Sequence, residues 1–189
     1  MKHAAFVLLA AVSAAAQTKA PEKYKVRLAT TKGDMVIAVT RAWSPNGADR
    51  FYELVKGGFY DNNAFYRVIP MFAAQFGLHP NPAVQAKWEK SPIKDDLVRQ
   101  TNSLGHVSFA ASGADSRTTQ VFINLKDNTS LDRQGFPPFG DVIQGVGVAG
   151  VLYSGYSDRP DQAKVIKLGA AYLKANFPRL DYLKKATVE

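Results

Sequence analysis

Short apolar runs, each fenced by turn-forming residues, set the pattern of this chain. YKVRLAT (24–30) and MVIAVT (35–40) are rich in strand formers and flank TKGD, a turn signal, so the pair predicts a hairpin. The period then changes. In SPNGADRFYELVKGG, Ala48, Phe51, Tyr52 and Val55 fall at i, i+3, i+4 and i+7, which predicts a helix. Ser44 stands at its N-cap, Pro45 suits the first helical position and Gly57-Gly58 ends it. Beyond it, AFYRVI, FAAQFG, HVSFAAS, QVFINL and FGDVIQ read as further short strands. VAGVLYSG reads as a short helix, QAKVIKLGAAYLKANFP as helix up to Pro178, and YLKKATV as a last strand. Many short strands with few helices make the class mainly β, a sandwich or a barrel, and spacing alone does not separate the two.

The first residues follow a different logic. MKHAAFVLLAAVSAAAQTKA opens with Lys2 and His3, continues through an apolar run from Ala4 to Val12, and reaches Ala14-Ala15-Ala16. The run is short for a membrane span, and the small residues suit cleavage before Gln17, so 1–16 is expected to be a signal peptide. The alternative is an N-terminal anchor or a buried helix. The expected mature protein is exported, to a periplasm or the medium, with no stable membrane insertion.

The 189 residues fit one domain, and 46% hydrophobic against 21% charged residues supports a packed core. No cysteine is present, which excludes disulfides and thiolate metal sites. A net charge of +8 raises nucleic-acid binding as a class, but the lysines and arginines are scattered, so a solvated basic surface is expected and nucleic acid is not.

One charge is out of place. FYRVIPMFAAQFG (65–77) is uncharged except for Arg67. On a strand over 65–69, Phe65, Arg67 and Ile69 share a face, which resembles a binding surface more than a core or a solvated exterior. A guanidinium is costly to bury, and the plain alternative is a surface arginine lying over apolar neighbours.

Most catalytic devices are missing. There is no G-x-S-x-G elbow and no phosphate-binding loop of the Walker type. His79 and His106 are the only histidines past the leader, so no metal is expected. Ser108, His106 and Asp115 have no triad spacing, and Asp95-Asp96 reads as a loop pair.

Four segments in order, FYRVIPMFAAQFG, GHVSFAASG (105–113), DSRTTQVFINL (115–125) and SLDRQGFPPFGDVIQG (130–145), resemble the cyclophilins, the peptidyl-prolyl cis–trans isomerases, and particularly their divergent exported bacterial branch. The resemblance spans about 24–150, within a domain over 22–189 whose residues 150–189 form a divergent helical elaboration. It implies a closed eight-stranded antiparallel barrel capped by two helices, with the peptide site on the outer wall. It also implies that Arg67 is the catalytic arginine and that Phe65 belongs to the peptide-binding surface. Phe72 and Phe122 would line a proline pocket closed by Leu131, with Phe136 near the place of a conventional histidine in a loop one residue longer. Gln75 and Gln120 would flank the arginine and the substrate backbone, and Ala110 and Ala111 would pair with the bound peptide.

The chain departs from the family's common pattern at several points. Ala110-Ala111-Ser112-Gly113 replaces A-N-A-G, at a position where the family's contact is made largely by backbone. Ser130 replaces a bulky aromatic of eukaryotic members, which implies weak cyclosporin binding, and Ala73 replaces a larger residue, which implies a wider pocket. The function implied is rotation about X–Pro bonds in exported proteins by a cofactor-free monomer. The second class is a cyclophilin-fold peptide-binding or assembly protein with little turnover.

Overall fold

The computed structural model describes residues 18–189, so the expected leader cleavage lies outside the described residues. The hairpin forms as β1 (Lys23–Thr30) and β2 (Gly33–Thr40), in register from Lys23 opposite Thr40 to Thr30 opposite Gly33. Its turn is only Thr31-Lys32, tighter than TKGD, because the Thr30 hydroxyl donates to the Gly33 carbonyl at 2.6 Å and accepts from Lys32 N–H at 3.0 Å. Gly33 takes φ +128°, a conformation that L side chains rarely adopt.

Helix α1 (Pro45–Lys56) buries Ala48, Phe51, Leu54 and Val55. Tyr52 sits at the edge of that stripe, edge-on to Tyr24 at 5.2 Å. The N-terminus of α1 is capped from a distant loop. Ser44 makes no cap bond of its own. Instead Asp96 accepts from the Ser44 hydroxyl at 2.6 Å, from Gly47 N–H at 3.0 Å and from Asn46 N–H at 3.1 Å. Arg117, only 1% exposed, donates to the same carboxylate at 3.1 Å and pairs with Asp95 at 3.2 Å. Asp95-Asp96 is thus a loop pair that neutralises a buried guanidinium and caps a helix.

The remaining strands are β3 (Asn63–Ala64), β4 (Arg67–Ile69), β5 (Ala73–Phe76), β6 (His106–Phe109), β7 (Val121–Asn124), β8 (Pro138–Gln144) and β9 (Tyr182–Val188). They make one antiparallel sheet of nine strands in the order β3-β9-β1-β2-β8-β6-β7-β5-β4. This corrects the closed eight-stranded barrel. The end strands β3 and β4 are consecutive in the chain and separated by Phe65-Tyr66 alone, so the sheet must curl to bring its ends together, but no ladder joins them.

The helices also exceed the expected two caps. Besides α1 there are α2 (Pro82–Glu89), α3 (Ser130–Arg133), α4 (Val146–Gly150), α5 (Gln162–Leu168) and α6 (Ala170–Asn176). Gly169, at φ +60°, breaks the predicted tail helix into α5 and α6. Among the described residues no helix is long and apolar enough to cross a membrane.

The main core lies inside the curl. It joins Val26, Leu28, Ile37, Phe76, Phe109 and Phe139 to the α1 stripe, with Phe51 and Phe139 rings 4.9 Å apart. A second cluster packs Val165, Leu173 and Leu180 of the tail against Ala64, Tyr66 and Leu78, over the junction of the sheet's two ends. β9 lies between β3 and β1, so the tail contributes an internal strand.

Because one carboxylate serves both α1 and Arg117, Asp96→Ala is expected to lower the unfolding free energy by about 1–3 kcal/mol, the cost of buried donors left unpaired, with Asp95 still beside the Arg117 guanidinium. Urea denaturation measures this. Asp96→Asn, which keeps an acceptor oxygen, should lose less.

Candidate active site

Arg67 begins β4 and faces outward. Val68 beside it is buried, while Arg67 and Ile69 are half-exposed. The alternation that predicted this holds only from Arg67 onward. Phe65 lies before the strand, in the two-residue break after β3, and its ring turns inward. It is fully buried in the main core, 5.2 Å from Phe76 and edge-on to it. The expectation that Phe65 belongs to the binding surface is therefore corrected: the break resets the phase of the strand, and Phe65 packs the interior.

The ladder between β4 and β5 sets Arg67 opposite Gln75, and β5 pairs Gln75 with Phe122 of β7. Arg67 Nη1 donates to Gln75 Oε1 at 3.3 Å. Gln75 Nε2 donates to Gln120 Oε1 at 3.0 Å, and the Tyr66 hydroxyl donates to that same oxygen. Burial pushes the Tyr66 phenol well above its usual range, which keeps it a donor. Each amide is thereby oriented. Gln75 must turn its oxygen to Arg67, and the Gln120 nitrogen has no partner among the described residues.

Beside the guanidinium is an apolar pocket. Ala73, Phe122 and Leu131 are buried in one cluster, with Phe72, Ala110 and Phe136 packed against it. The Arg67 guanidinium lies over the Phe72 ring, 5.4 Å from its centroid, and Phe136 stands edge-on to Phe122 at 5.8 Å. Arg67, Phe72, Gln75, Ala110, Ala111, Gln120, Phe122, Leu131 and Phe136 all line one groove of about 690 Å³. Of the residues expected at the site, only Phe65 is missing from it.

Several neighbours were not legible. Behind the pocket is a buried amide network. Asn102 Nδ2 donates to Asp132 Oδ1 and to the Phe136 carbonyl, both at 2.8 Å. Asn128 Nδ2 donates to the Phe72 carbonyl and to Asn124 Oδ1, also at 2.8 Å. Asn124 Nδ2 donates to Asn102 Oδ1 at 3.2 Å. These asparagines hold the backbone under both rim aromatics. The spacing of Asn124 and Asn128 is the only local hint of it, since the other links cross the chain. The improvised triad does not assemble: Ser108 donates to Asn102, the His106 ring contacts the Thr101 carbonyl, and Asp115 pairs with Lys94.

A groove that sets a fixed cation beside an aromatic slot fits the family that the four segments point to. The family model described as cyclophilin type peptidyl-prolyl cis-trans isomerase/CLD matches residues 25–169. The chain belongs to the cyclophilins. Among curated relatives, this cyclophilin is 35% identical over 130 residues to peptidyl-prolyl cis-trans isomerase A of Dickeya dadantii, covering 66% of this chain and 68% of that one. It is 29% identical over 163 residues to isomerase B of Escherichia coli, covering 82% and 92%. Among solved structures, a cyclophilin-type isomerase of Cryptosporidium parvum superposes with a TM-score of 0.67 at 20% identity, over 88% of this chain and 98% of that one, a likeness of fold. The same protein crystallised in the presence of the dipeptide Ala-Pro gives a TM-score of 0.65 at 20% identity, over 87% and 98%.

In this cyclophilin Asn102 is fully buried and carries the Phe136 backbone. Asn102→Ala is expected to cost about 1–3 kcal/mol of stability from the groups left unpaired. It should also raise KM for a proline peptide more than it lowers kcat, because the rim loosens while Arg67 stays. Denaturant unfolding and steady-state isomerase kinetics read the two effects.

Proposed function

We propose that this cyclophilin isomerises X–Pro bonds in the groove of Arg67, with the proline ring between Phe72 and Phe122 and the guanidinium on the imide nitrogen. Rotation about the bond meets a barrier of about 18–20 kcal/mol from amide resonance. In the twisted state that resonance is lost and the nitrogen regains its lone pair. A donor fixed at that nitrogen binds the twisted amide better than the planar one, which is the condition for catalysis. No covalent bond is made or broken, so no nucleophile is required.

The observation that carries this reading is the hydrogen bond from Arg67 to Gln75 beside the pocket aromatics. It holds the charge in place without neutralising it. The free nitrogen of Gln120 can donate to a substrate carbonyl, and the Ala110-Ala111 segment offers backbone to the flanking peptide. A charge-assisted hydrogen bond contributes about 1.5–3 kcal/mol, or roughly one to two orders of magnitude in rate. Positioning of the ring and the flanking peptide must supply the rest.

The proposed substrates are proline-containing segments of exported proteins, met by a monomer outside the cytoplasm. The leader-like first 16 residues support the compartment. A relative's crystallisation with Ala-Pro supports the substrate class.

Arg67→Ala is expected to lower kcat/KM by about ten- to a hundredfold on a short proline peptide in a protease-coupled assay. Arg67→Lys should recover little of it, since an ammonium cannot keep both the Gln75 contact and the nitrogen in a rigid fork. Proline-peptide binding without turnover in the intact protein would replace this reading with the binding-module one.

A further inference from the structure

The groove extends beyond the proline pocket. Its lining also includes Glu89, Pro92 and Thr118, together with Gln162, the first residue of α5, none of which belongs to the apolar cluster. Arg67 is the only cation among the lining residues. Of the two acids there, Asp115 is already engaged by Lys94 at 2.7 Å, whereas Glu89 makes no ion pair among the described residues.

Glu89 is held in place nonetheless. It ends α2, and its Oε1 accepts from Nε2 of Gln85 one turn earlier. Gln85 is fully buried, and its own oxygen accepts from His79 N–H at 2.7 Å. The charge of Glu89 does not favour the helix, because the C-terminal end of a helix dipole disfavours an anion.

The tail fixes the wall that carries it. α2 packs against α5, and Ala170 N–H donates to the Pro80 carbonyl at 2.9 Å. A Cβ on Gly169 would lie 2.2 Å from that carbonyl, so the contact is closed to any larger residue there.

We propose that Glu89 selects substrates carrying lysine or arginine immediately before the X–Pro pair. This rests on the isomerase reading above. With the ring in the apolar end and the nitrogen toward Arg67, residue X leaves along Gln120 and Ala110. The side chain before X then meets this part of the lining, where an anion held by a neutral amide waits without a counter-charge. A basic side chain supplies that counter-charge, and an acidic one is repelled.

Three acetylated peptides, Xaa-Ala-Pro-Phe anilides with Xaa as Lys, Ala or Glu, test this with the intact protein. The order of kcat/KM is expected to be Lys, Ala, Glu, with Lys over Glu by about fivefold at low salt, the size of an exposed charge pair, and a smaller ratio at high salt. Glu89→Gln should bring the Lys/Glu ratio close to one and Glu89→Lys should invert it, which a merely structural role would not do. Equal turnover of the Lys and Glu peptides by the unmodified protein overturns the proposal and leaves the isomerase reading intact. No turnover of any peptide overturns the isomerase reading. The charge preference is then read from the Kd values of the same peptides, and equal values for Lys and Glu overturn it.

Discussion

On the proposed reading Arg67 meets a proline nitrogen, so whatever holds it in place cannot neutralise it. A carboxylate would fix Arg67 firmly and also take up its charge. The chain uses amides instead. Gln75 accepts from the guanidinium, Gln120 orients Gln75, and a buried Tyr66 hydroxyl orients Gln120. Three neutral groups in series fix direction and leave the charge free to act, and the Phe72 face stabilises it without a proton acceptor. The rest of the site follows from this constraint. β4 and β5 must pair so that Arg67 meets Gln75, and β7 must lie beside them to bring Phe122 to the same groove.

The arginine and its aromatic neighbours were legible because they lie in contiguous, ordered segments and because a lone charge in an apolar run is conspicuous. The error at Phe65 came from extending a period of two through an interruption of the strand that the sequence does not mark. Glycine or proline would have signalled it, but Phe65-Tyr66 looks like strand and is nevertheless the link between the sheet's ends. The strand count failed for the same reason, since one stretch read as a single strand supplies both β3 and β4.

Long-range polar contacts were not legible at all. Asp96 looked like half of a loop pair, yet it caps a helix that begins about fifty residues earlier and neutralises Arg117. Asn102, Asn124 and Asn128 looked like loop residues, yet they hold the backbone beneath Phe72 and Phe136. α2 was missed because it is only eight residues long and its one buried side chain is a glutamine. In each case the side chain is polar, its partner is distant in sequence, and periodicity carries no trace of the pairing.

The place of β9 bears on how the molecule is made. β1, formed from the earliest described residues, takes one neighbour from the next strand and the other from Tyr182–Val188 at the opposite end. β3, which leads directly into the arginine strand, has β9 as its only ladder partner. Until Tyr182–Val188 is in place, β1 and β3 each lack a neighbour, and the sheet cannot be completed. Completing the sheet is therefore a non-local event, of the kind that closes slowly.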